Sequence, residues 1–418
     1  MKKAVLLLLL VCQVFGQNVV KKASIETLAR VETEIRGKID GNPRLAAGFV
    51  RLSFHDCVGK GRCDGCINYQ EPDNAGIPRY TEVLNDLYDK FFKNDITRAD
   101  LYAYAGVVAA NHASLRDAVF DMTKFKVGRH DCSESGDETD LNEHFPSNNF
   151  QNVQELHAYF NKEFGLSLNE SVALMGAHSL GRMETANSGY EGPWVPGTGQ
   201  DVLNSDYYRE VVNVPWFLKT MPTNSAKHQW QRRAPSLGVG NSPGRNRQPD
   251  NVLLNTDAAL AVNLRLNKDT GAFQDGAECV MCPPNGPPPP GRIPCCDEDT
   301  EGRGKCIEYV DDNSGWMKDF EVAFYKMIDN PDDDLSVPTA APTAAPTAAP
   351  TAAPTAAPTA APTEAPAPAT RPPRGGGRGG GRGGRRSDQI KKKEASAEKI
   401  NEVLHDLQDV LKEVKKMV

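Results

Sequence analysis

The sequence predicts a mostly α-helical domain over residues 23–330, followed by a disordered linker and a C-terminal coiled-coil helix. The helical domain is predicted by apolar stretches that begin at helix-capping residues and by strand signals that are few and scattered. The linker is predicted by an abrupt change of composition near Pro338. A length of 418 residues allows one large domain or two of average size, and a net charge of -7 gives no indication of nucleic-acid binding.

Residues 1–16 are typical of a secretory signal peptide. Lys2 and Lys3 precede an apolar run from Ala4 to Val11, and the segment closes at the small residue Gly16. The run is shorter than the roughly 18 apolar residues that a membrane span needs, which disfavours the alternative of a signal anchor. No later stretch is apolar enough to span a membrane. We therefore expect a secreted, extracellular protein.

Three patterns predict helices within the domain. Asn42-Pro43 can cap and start a helix that runs through His55, because proline suits the first helical turn. Thr97-Arg-Ala-Asp100 and Ser167-Leu-Asn-Glu170 each have the spacing of a capping box, in which each side chain satisfies the other residue's backbone N–H group. The second box precedes a predicted helix that ends at His178.

The sequence contains ten cysteines, of which Cys12 lies within the predicted signal peptide. The others are Cys57, Cys63, Cys66, Cys132, Cys279, Cys282, Cys295, Cys296 and Cys306. Outside the cell these are predicted to form mainly disulfides, and their odd number leaves one thiol free or paired between chains. The alternative for the last five is a zinc knuckle. Four of these five fall in the second of two long loops, rich in Gly and Pro, that we predict at 222–249 and 276–305.

Two low-complexity segments follow the predicted domain. The unit Pro-Thr-Ala-Ala repeats from Pro338 to Ala361, and the bias continues to residue 373. This linker has no apolar face to bury and is predicted to be extended and solvated. Arginines set among glycines then occupy 374–386. Behind a signal peptide their expected partner is an extracellular polyanion or matrix, with a plain flexible spacer as the alternative.

The last segment, residues 387–418, is predicted to be a coiled-coil helix. Its apolar residues alternate steps of four and three, at Ile400, Leu404, Leu407, Leu411, Val414 and Val418. A lone amphipathic helix of about three heptads is marginally stable, and self-association would cover its apolar seam. The sequence therefore predicts a homo-oligomer that forms through residues 400–418.

Two histidines end capped, apolar helices and are candidates for chemistry. His55 stands in Arg51-Leu-Ser-Phe-His-Asp-Cys57, so Arg51 and His55 are four residues apart and project from one helix face. A cation beside a neutral imidazole suits a site that takes a proton from a ligand and stabilises the anion that develops. His178 follows the small residues Gly176 and Ala177, which would let a flat cofactor approach the helix closely. The spacing predicts a haem or metal pocket, with two ordinary packed histidines as the alternative.

These motifs resemble those of the plant, fungal and bacterial haem peroxidase superfamily. The stretch 51–57 resembles its distal motif, and the stretch 172–181, with sequence VALMGAHSLG, resembles its proximal motif. Further matches follow in the same order at Asn74-Ala-Gly76, Gly128-Arg129, Asn187-Ser-Gly-Tyr-Glu-Gly-Pro-Trp194 and Leu254-Asn-Thr-Asp257. The stretch 172–194 is especially similar to cytochrome c and ascorbate peroxidases, whereas the predicted secretion and the cysteines are similar to the extracellular branches.

The resemblance implies the haem peroxidase fold, with haem b held between a distal and a proximal helix. His178 is then the axial iron ligand, and Asp257 accepts the other ring N–H and increases the electron donation to iron. His55 takes a proton from hydrogen peroxide and returns it to the leaving oxygen. Arg51 stabilises the departing hydroxide, and Asn74 holds His55 in its basic tautomer. A charge at a helix start is the alternative for Asp257.

Three further positions follow from the same resemblance. Trp194 matches a tryptophan that lies beneath the haem and carries a radical in cytochrome c peroxidase, with buried packing as the alternative role. Phe54 stands where the cytochrome c and ascorbate peroxidases place a tryptophan above the haem, and it agrees with the secreted branches. Pro146 matches a position near the haem edge and is expected to line the substrate entrance.

Calcium is the second cofactor that the resemblance implies. Asp56 and Asp64 match ligands of a distal calcium site in secreted members, although Cys66 stands where those members use a serine. Ser179 fits a second cation site, although Asn204 stands where an aspartate is expected. The alternative is that no cation binds. Cys57 and Cys63 are expected to close the distal loop as a disulfide.

The resemblance implies a secreted enzyme that reduces hydrogen peroxide and oxidises a small organic electron donor through an oxoferryl intermediate. Asn187 replaces the arginine that binds ascorbate, and Arg44 and Gly48 replace the paired glutamates of manganese peroxidases. Small phenols or other aromatic donors are therefore expected. The alternative function is a structural or matrix protein in which the oligomerising, polyanion-binding tail has the main role.

Overall fold

A computed structural model of the chain describes residues 21–59, 63–115, 120–132, 145–222, 224–232, 251–274, 278–284, 293–330 and 333–341. The chain divides into two units, Met1–Ala345 and Pro346–Val418, and every described residue belongs to the first. The predicted signal peptide, the Arg/Gly-rich segment, the coiled coil and nearly all of the linker lie outside the described residues. Among the helices that are described, none has the length and apolar content that a bilayer crossing requires.

The described part of the chain is mostly α-helical, as predicted. Its α-helices are α1 (Ile25–Gly41), α2 (Arg44–Cys57), α3 (Pro78–Leu87), α4 (Arg98–Ala113), α5 (Val153–Phe164), α6 (Leu168–Met175), α7 (Thr185–Ser188), α8 (Asp206–Asn213), α9 (Asn255–Ala258), α10 (Thr300–Asp311) and α11 (Asn313–Ile328). Short strands lie between them: β1 (Arg182–Met183), β2 (Gly192–Pro193), β3 (Phe217–Met221), β4 (Asn224–Gln231), β5 (Val252–Leu253), β6 (Val262–Asn263) and β7 (Asp297–Glu298). These strands pair antiparallel as β1–β2, β3–β4–β5 and β6–β7.

Helix α4 forms the centre of the core. Every residue from Ala99 to Ala110 is buried, as expected for a helix that is apolar on all sides. Helix α2 packs directly along it, and a Cβ added at Gly106 of α4 would collide with the Ser53 side chain of α2. This close contact leaves the opposite face of α2, which carries Arg51 and His55, directed toward a cavity.

Of the two predicted capping boxes, the one at Ser167 forms completely and the one at Thr97 forms only in part. At the start of α6, Ser167 and Glu170 make both hydrogen bonds of the box, which confirms the prediction. At the start of α4, Thr97 Oγ1 accepts the backbone N–H of Asp100 at 3.1 Å. The carboxylate of Asp100 instead accepts bonds from Gly128 N and from Arg129, so the prediction of a full box was wrong there.

The start of α2 also differs in detail from the prediction. The helix begins at Arg44, directly after Pro43, as the proline predicted. Asn42, however, belongs to the preceding helix, because its backbone N–H bonds the carbonyls of Lys38 and Ile39 at the end of α1. The N-cap of α2 is therefore Pro43, which provides no side-chain capping bond.

The cysteines form the disulfides Cys57–Cys63, Cys66–Cys132, Cys279–Cys296 and Cys282–Cys295. This confirms the prediction of disulfides and rules out the zinc knuckle, since four of its proposed ligands are bonded in pairs. Among the cysteines that the structure describes, Cys306 is free, and it is fully buried in α10. The loop predictions were partly wrong: β4 lies within 222–249, and β7 and the start of α10 lie within 276–305.

Candidate active site

The two candidate histidines line one cavity. His55 comes from α2, and His178 comes from the 3₁₀ turn Gly176–Ser179 that continues α6. The cavity has a volume of about 1000 Å³, which is large enough for a cofactor and a small substrate. Apolar side chains make up much of its wall: Leu45, Ala47, Val50, Phe54, Phe145, Pro146, Phe150, Phe160, Leu174, Met175 and Leu180. The structure therefore brings the distal and proximal motifs together as predicted.

The tautomer of His55 is fixed by Asn74. His55 Nδ1 lies 2.7 Å from Asn74 Oδ1, and an amide oxygen can only accept, so Nδ1 carries the proton. The amide of Asn74 is itself oriented, because its Nδ2 donates to the carbonyl of Asn68 at 2.9 Å. The remaining nitrogen, Nε2, therefore holds a lone pair that can act as a base.

Arg51 lies beside that lone pair. Its Nε donates to His55 Nε2 at 3.2 Å, while its two terminal nitrogens donate to the carbonyls of Ala75 and Asp73. Burial, and next the positive charge of Arg51, hold the pKa of His55 well below its ordinary value, against the smaller opposing effect of the bond to Asn74. His55 is therefore neutral at physiological pH, which is the form that a general base requires.

Two phenylalanines pack against the His55 ring. Phe54 lies edge-on with its ring centroid 5.8 Å from that of His55, and Phe145 lies tilted at 4.7 Å. Both side chains line the cavity next to the base. Phe54 was expected here from the sequence, whereas Phe145 was not.

On the opposite wall, His178 is oriented by a buried carboxylate. His178 Nδ1 donates to Asp257 Oδ1 at 2.7 Å, and the Asp257 side chain is completely buried whereas that of His178 keeps 30% of its surface accessible. This bond leaves Nε2 as the free nitrogen of a ring that lines the cavity. An imidazole whose outer N–H is held by a carboxylate is the arrangement that metal-binding histidines adopt.

Asp257 accepts hydrogen bonds from three more donors. Trp194 Nε1 donates to Oδ2 at 2.9 Å, and the backbone N–H of Leu254 donates to the same oxygen at 2.6 Å. The hydroxyl of Tyr207 donates to Oδ1 at 2.6 Å. Asp257 therefore has both of the roles considered from the sequence: it caps the start of α9, and it orients His178.

Trp194 and Tyr207 also pack against His178. The indole of Trp194 stacks on the imidazole with a centroid distance of 4.3 Å, and the Tyr207 ring lies edge-on at 5.9 Å. Burial, with the nearby Asp257 adding to it, raises the pKa of Tyr207 well above its ordinary value, so its hydroxyl stays protonated and donates. Tyr207 was not predicted as a site residue, because a buried tyrosine needs a hydrogen-bond acceptor but the sequence does not identify which one.

The small β-sheet positions Asp257 in this network. Helix α9 follows β5 directly, and β5 pairs with β4 through Trp230 and Leu253. Trp230 Nε1 also donates to Asn255 Oδ1 at 2.9 Å, which holds the first residue of α9. The hairpin thus fixes α9, and with it Asp257, relative to the rest of the site.

The prediction that Gly176 lets a flat cofactor approach the helix was wrong. Gly176 does not line the cavity; a Cβ there would stand 2.6 Å from Nε1 of Trp316, so this glycine allows α11 to pack against the proximal turn. The close approach on the cavity side is made at Gly181, where a Cβ would stand 2.9 Å from that of Ala47. Ala177, as predicted, does line the cavity.

The residues present fit an iron porphyrin. The cavity offers apolar walls for the macrocycle, one imidazole nitrogen of His178 that is not engaged with Asp257, and a base with a cation on the far side. Pro146 also lines this cavity, and its place at a substrate entrance stays a prediction.

The predicted calcium ligands lie away from the cavity wall. Asp56 is buried, and Ser179 is buried with its Oγ accepting the backbone N–H of Asn204 at 3.4 Å. Among the described residues, a group with metal-ligand geometry is found at Asp64, but the other members, Cys66 and Cys132, are bonded to each other. The two calcium sites therefore stay predictions.

The profile of a family described as Peroxidase matches residues 31–275, which is more than half of the chain. Mitochondrial cytochrome c peroxidase of Candida glabrata is 27% identical over 241 residues, covering 54% of this chain and 59% of that protein. The corresponding enzyme of Pyricularia oryzae is 26% identical over 225 residues, covering 49% and 57%. L-ascorbate peroxidase 3 of Arabidopsis thaliana is 32% identical over 181 residues, covering 41% and 58%. The chain thus spans roughly half the length of the curated relatives it matches.

Proposed function

The chain belongs to the haem peroxidase family, and on that premise we propose that it is a haem-dependent enzyme that reduces hydrogen peroxide and oxidises a small organic donor. One observation carries the proposal: a single cavity is lined on one side by a neutral base beside a cation and on the other by an imidazole oriented by a buried carboxylate. A protein that had kept the fold only for structural purposes would have no need of both arrangements.

On the proximal side, the chain holds and tunes the cofactor. Haem b supplies, when bound, an iron centre that accepts the two oxidising equivalents of the peroxide. His178 Nε2 would hold the iron, since Nδ1 is engaged with Asp257. Asp257 keeps the ring in one tautomer and orientation and increases its donor strength.

On the distal side, the chain moves one proton. His55 Nε2 takes the proton from one oxygen of hydrogen peroxide and delivers it to the other oxygen, which leaves as water. Arg51 stabilises the negative charge that develops on the leaving oxygen. Because Arg51 Nε occupies the His55 lone pair at 3.2 Å, the incoming peroxide has to replace Arg51 as the hydrogen-bond partner of Nε2.

The proposed donor is a small phenol or another aromatic molecule. Phe145, Pro146 and Phe150 give the cavity aromatic and apolar walls that such a donor can contact. Asn187, which also lines the cavity, presents a neutral amide whose Nδ2 donates to Glu184 at 2.9 Å. Residue 187 itself therefore offers no positive charge to a carboxylate or enolate donor, and the neighbouring Arg79 is already paired with the same Glu184 oxygen at 3.0 Å.

Secretion, calcium and assembly complete the proposal. Four disulfides support an oxidising, extracellular location. Calcium binding at Asp56 and Asp64, and a second cation at Ser179, rest on the sequence motifs. A homo-oligomer through residues 400–418 and a polyanion-binding segment at 374–386 rest on sequence patterns as well.

The test is reconstitution of the purified full chain with one equivalent of hemin. We expect a Soret band, and turnover of a phenolic dye with hydrogen peroxide well above that of free hemin. The matched control is His178→Ala, which removes the iron ligand and should reduce turnover to the level of free hemin. A protein that stays colourless after incubation with hemin, or a wild type no better than the control, would overturn the proposal.

A further inference from the structure

The two carboxylate oxygens of Asp257 accept four hydrogen bonds. Oδ1 accepts from His178 Nδ1 at 2.7 Å and from the Tyr207 hydroxyl at 2.6 Å. Oδ2 accepts from Trp194 Nε1 at 2.9 Å and from Leu254 N at 2.6 Å. A carboxylate offers about four lone-pair sites, so all of them are engaged in a fully buried environment.

Tyr207 is the donor that shares an oxygen with His178. It lies on α8, is fully buried, and does not line the cavity, so it touches neither the space for the cofactor nor that for a substrate. The catalytic scheme given above makes no use of it. Its hydroxyl nevertheless reaches the same atom, Asp257 Oδ1, that orients the proposed iron ligand.

We propose that Tyr207 is a positioning residue that sets how strongly His178 donates electrons to the iron, by sharing Asp257 Oδ1 with the His178 N–H. This inference rests on the proposed haem binding through His178. Donors to one carboxylate oxygen draw on the same negative charge, and at close range in a buried site this competition is strong. The Tyr207 bond weakens the pull of Asp257 on the His178 proton and limits the anionic character of the imidazole. A less anionic ligand stabilises the ferric state less, which raises the reduction potential of the iron.

The neighbouring residue provides a matched control. Tyr208 lies on the same helix and is equally buried, but its hydroxyl donates to the backbone carbonyls of Val172 and Ala173 at 2.7 and 3.1 Å. Tyr207→Phe and Tyr208→Phe therefore remove the same buried group, and only the first changes the donors to Asp257.

The experiment measures the ferric/ferrous midpoint potential of the haem-loaded full chain, and the iron–histidine stretching frequency of its ferrous form by resonance Raman spectroscopy. Tyr207→Phe is expected to shift the potential to a more negative value and the stretch to a higher frequency. Tyr208→Phe is expected to change neither. In an Asp257→Asn background, Tyr207→Phe should lose its effect, because the two substitutions act through one atom.

A second variant covers the case in which Tyr207→Phe does not fold. Tyr207→3-fluorotyrosine keeps the hydroxyl and makes it a stronger donor, so it is expected to shift the potential in the positive direction. An unchanged or more positive potential in a folded Tyr207→Phe, or an unchanged potential with 3-fluorotyrosine, would overturn this inference alone. The absence of a Soret band in the wild type would overturn the proposed function, and this inference with it.

Discussion

Arg51 Nε lies 3.2 Å from His55 Nε2. The other ring nitrogen, Nδ1, is bonded to Asn74. The cation thus stands at the lone pair that would accept a proton from peroxide. Since Arg51 also donates to the carbonyls of Asp73 and Ala75, it stays close to the base when peroxide replaces it as the hydrogen-bond partner of Nε2. This relationship underlies the first two predictions.

Replacing His55 by alanine should leave haem binding intact but slow the reaction with hydrogen peroxide by at least about a hundredfold, the usual contribution of a general base. Stopped-flow measurement of the Soret change at excess peroxide checks this. The control is His157→Ala, because His157 lies on α5, outside the cavity, with its Nδ1 next to Ser171 Oγ at 3.2 Å. A His55→Ala variant that reacts as fast as the control would refute the assigned base.

The pH dependence of the same reaction should reflect the lowered pKa of His55. Protonation of the base inactivates it, so the rate is expected to stay constant as the pH falls through the ordinary histidine range, around pH 6.5, and to decline only below it. Because the charge of Arg51 contributes to the lowered pKa, Arg51→Leu should move the decline to higher pH. A decline at unchanged or lower pH in that variant would contradict the electrostatic explanation.

Asp257→Asn should weaken the binding of the iron by His178. The amide carries no charge and accepts less strongly, so the His178 N–H is held less firmly and the ring donates less to the metal. We expect a loss of about 10- to 100-fold in haem affinity or in peroxide reaction rate, measured by hemin titration and stopped flow. Asp269→Asn, at an exposed position, serves as the control and should match the wild type.

The buried ion pair between Arg129 and Asp100 predicts a stability effect that is independent of catalysis. Both side chains are completely buried at 2.8 Å, and Arg129 also donates to the carbonyl of Ile328 at the end of α11. Arg129→Met leaves Asp100 without its counter-charge and should lower the free energy of unfolding by about 3–5 kcal/mol in urea denaturation. Arg265→Met, which breaks an exposed pair with Asp297, should cost less than about 1 kcal/mol.

Deleting residues 375–418 should lower the oligomer mass and reduce binding to a sulfated glycan, while the turnover of a phenolic dye stays nearly unchanged. The reason is that the candidate site is built entirely from residues before that segment. Light scattering, a heparin column and a dye assay measure the three properties. If dye turnover disappeared together with the tail, the division between a catalytic domain and an assembly segment would be wrong.

The sequence was sufficient for the parts of the site that depend on local spacing. Arg51 and His55 are one helical turn apart, so the helix alone places them together. The haem-peroxidase resemblance supplied the long-range pairs His178–Asp257 and His55–Asn74, and the structure confirms both.

Contacts that depend on tertiary packing could not be predicted from local spacing or from the motifs. Tyr207 stands 50 residues before Asp257 and 29 after His178, with no short motif to connect them. Gly176 was expected to face the cofactor because small residues permit close approach on any side, and only the position of Trp316 shows which side is used. The resemblance implied the Cys57–Cys63 disulfide, which the structure confirms. The other cysteine pairings were open, since the number of thiols does not determine their partners.

The contact between Gly176 and Trp316 has a consequence for biosynthesis. Trp316 Nε1 donates to the carbonyl of Ala173, so the turn that carries His178 is supported by a residue that leaves the ribosome well over a hundred positions later. Asp257 and Tyr207 also follow His178 in translation. A nascent chain that has exposed only its distal helix therefore lacks a complete proximal wall, and we expect stable haem binding only after α11 has been synthesised and has docked.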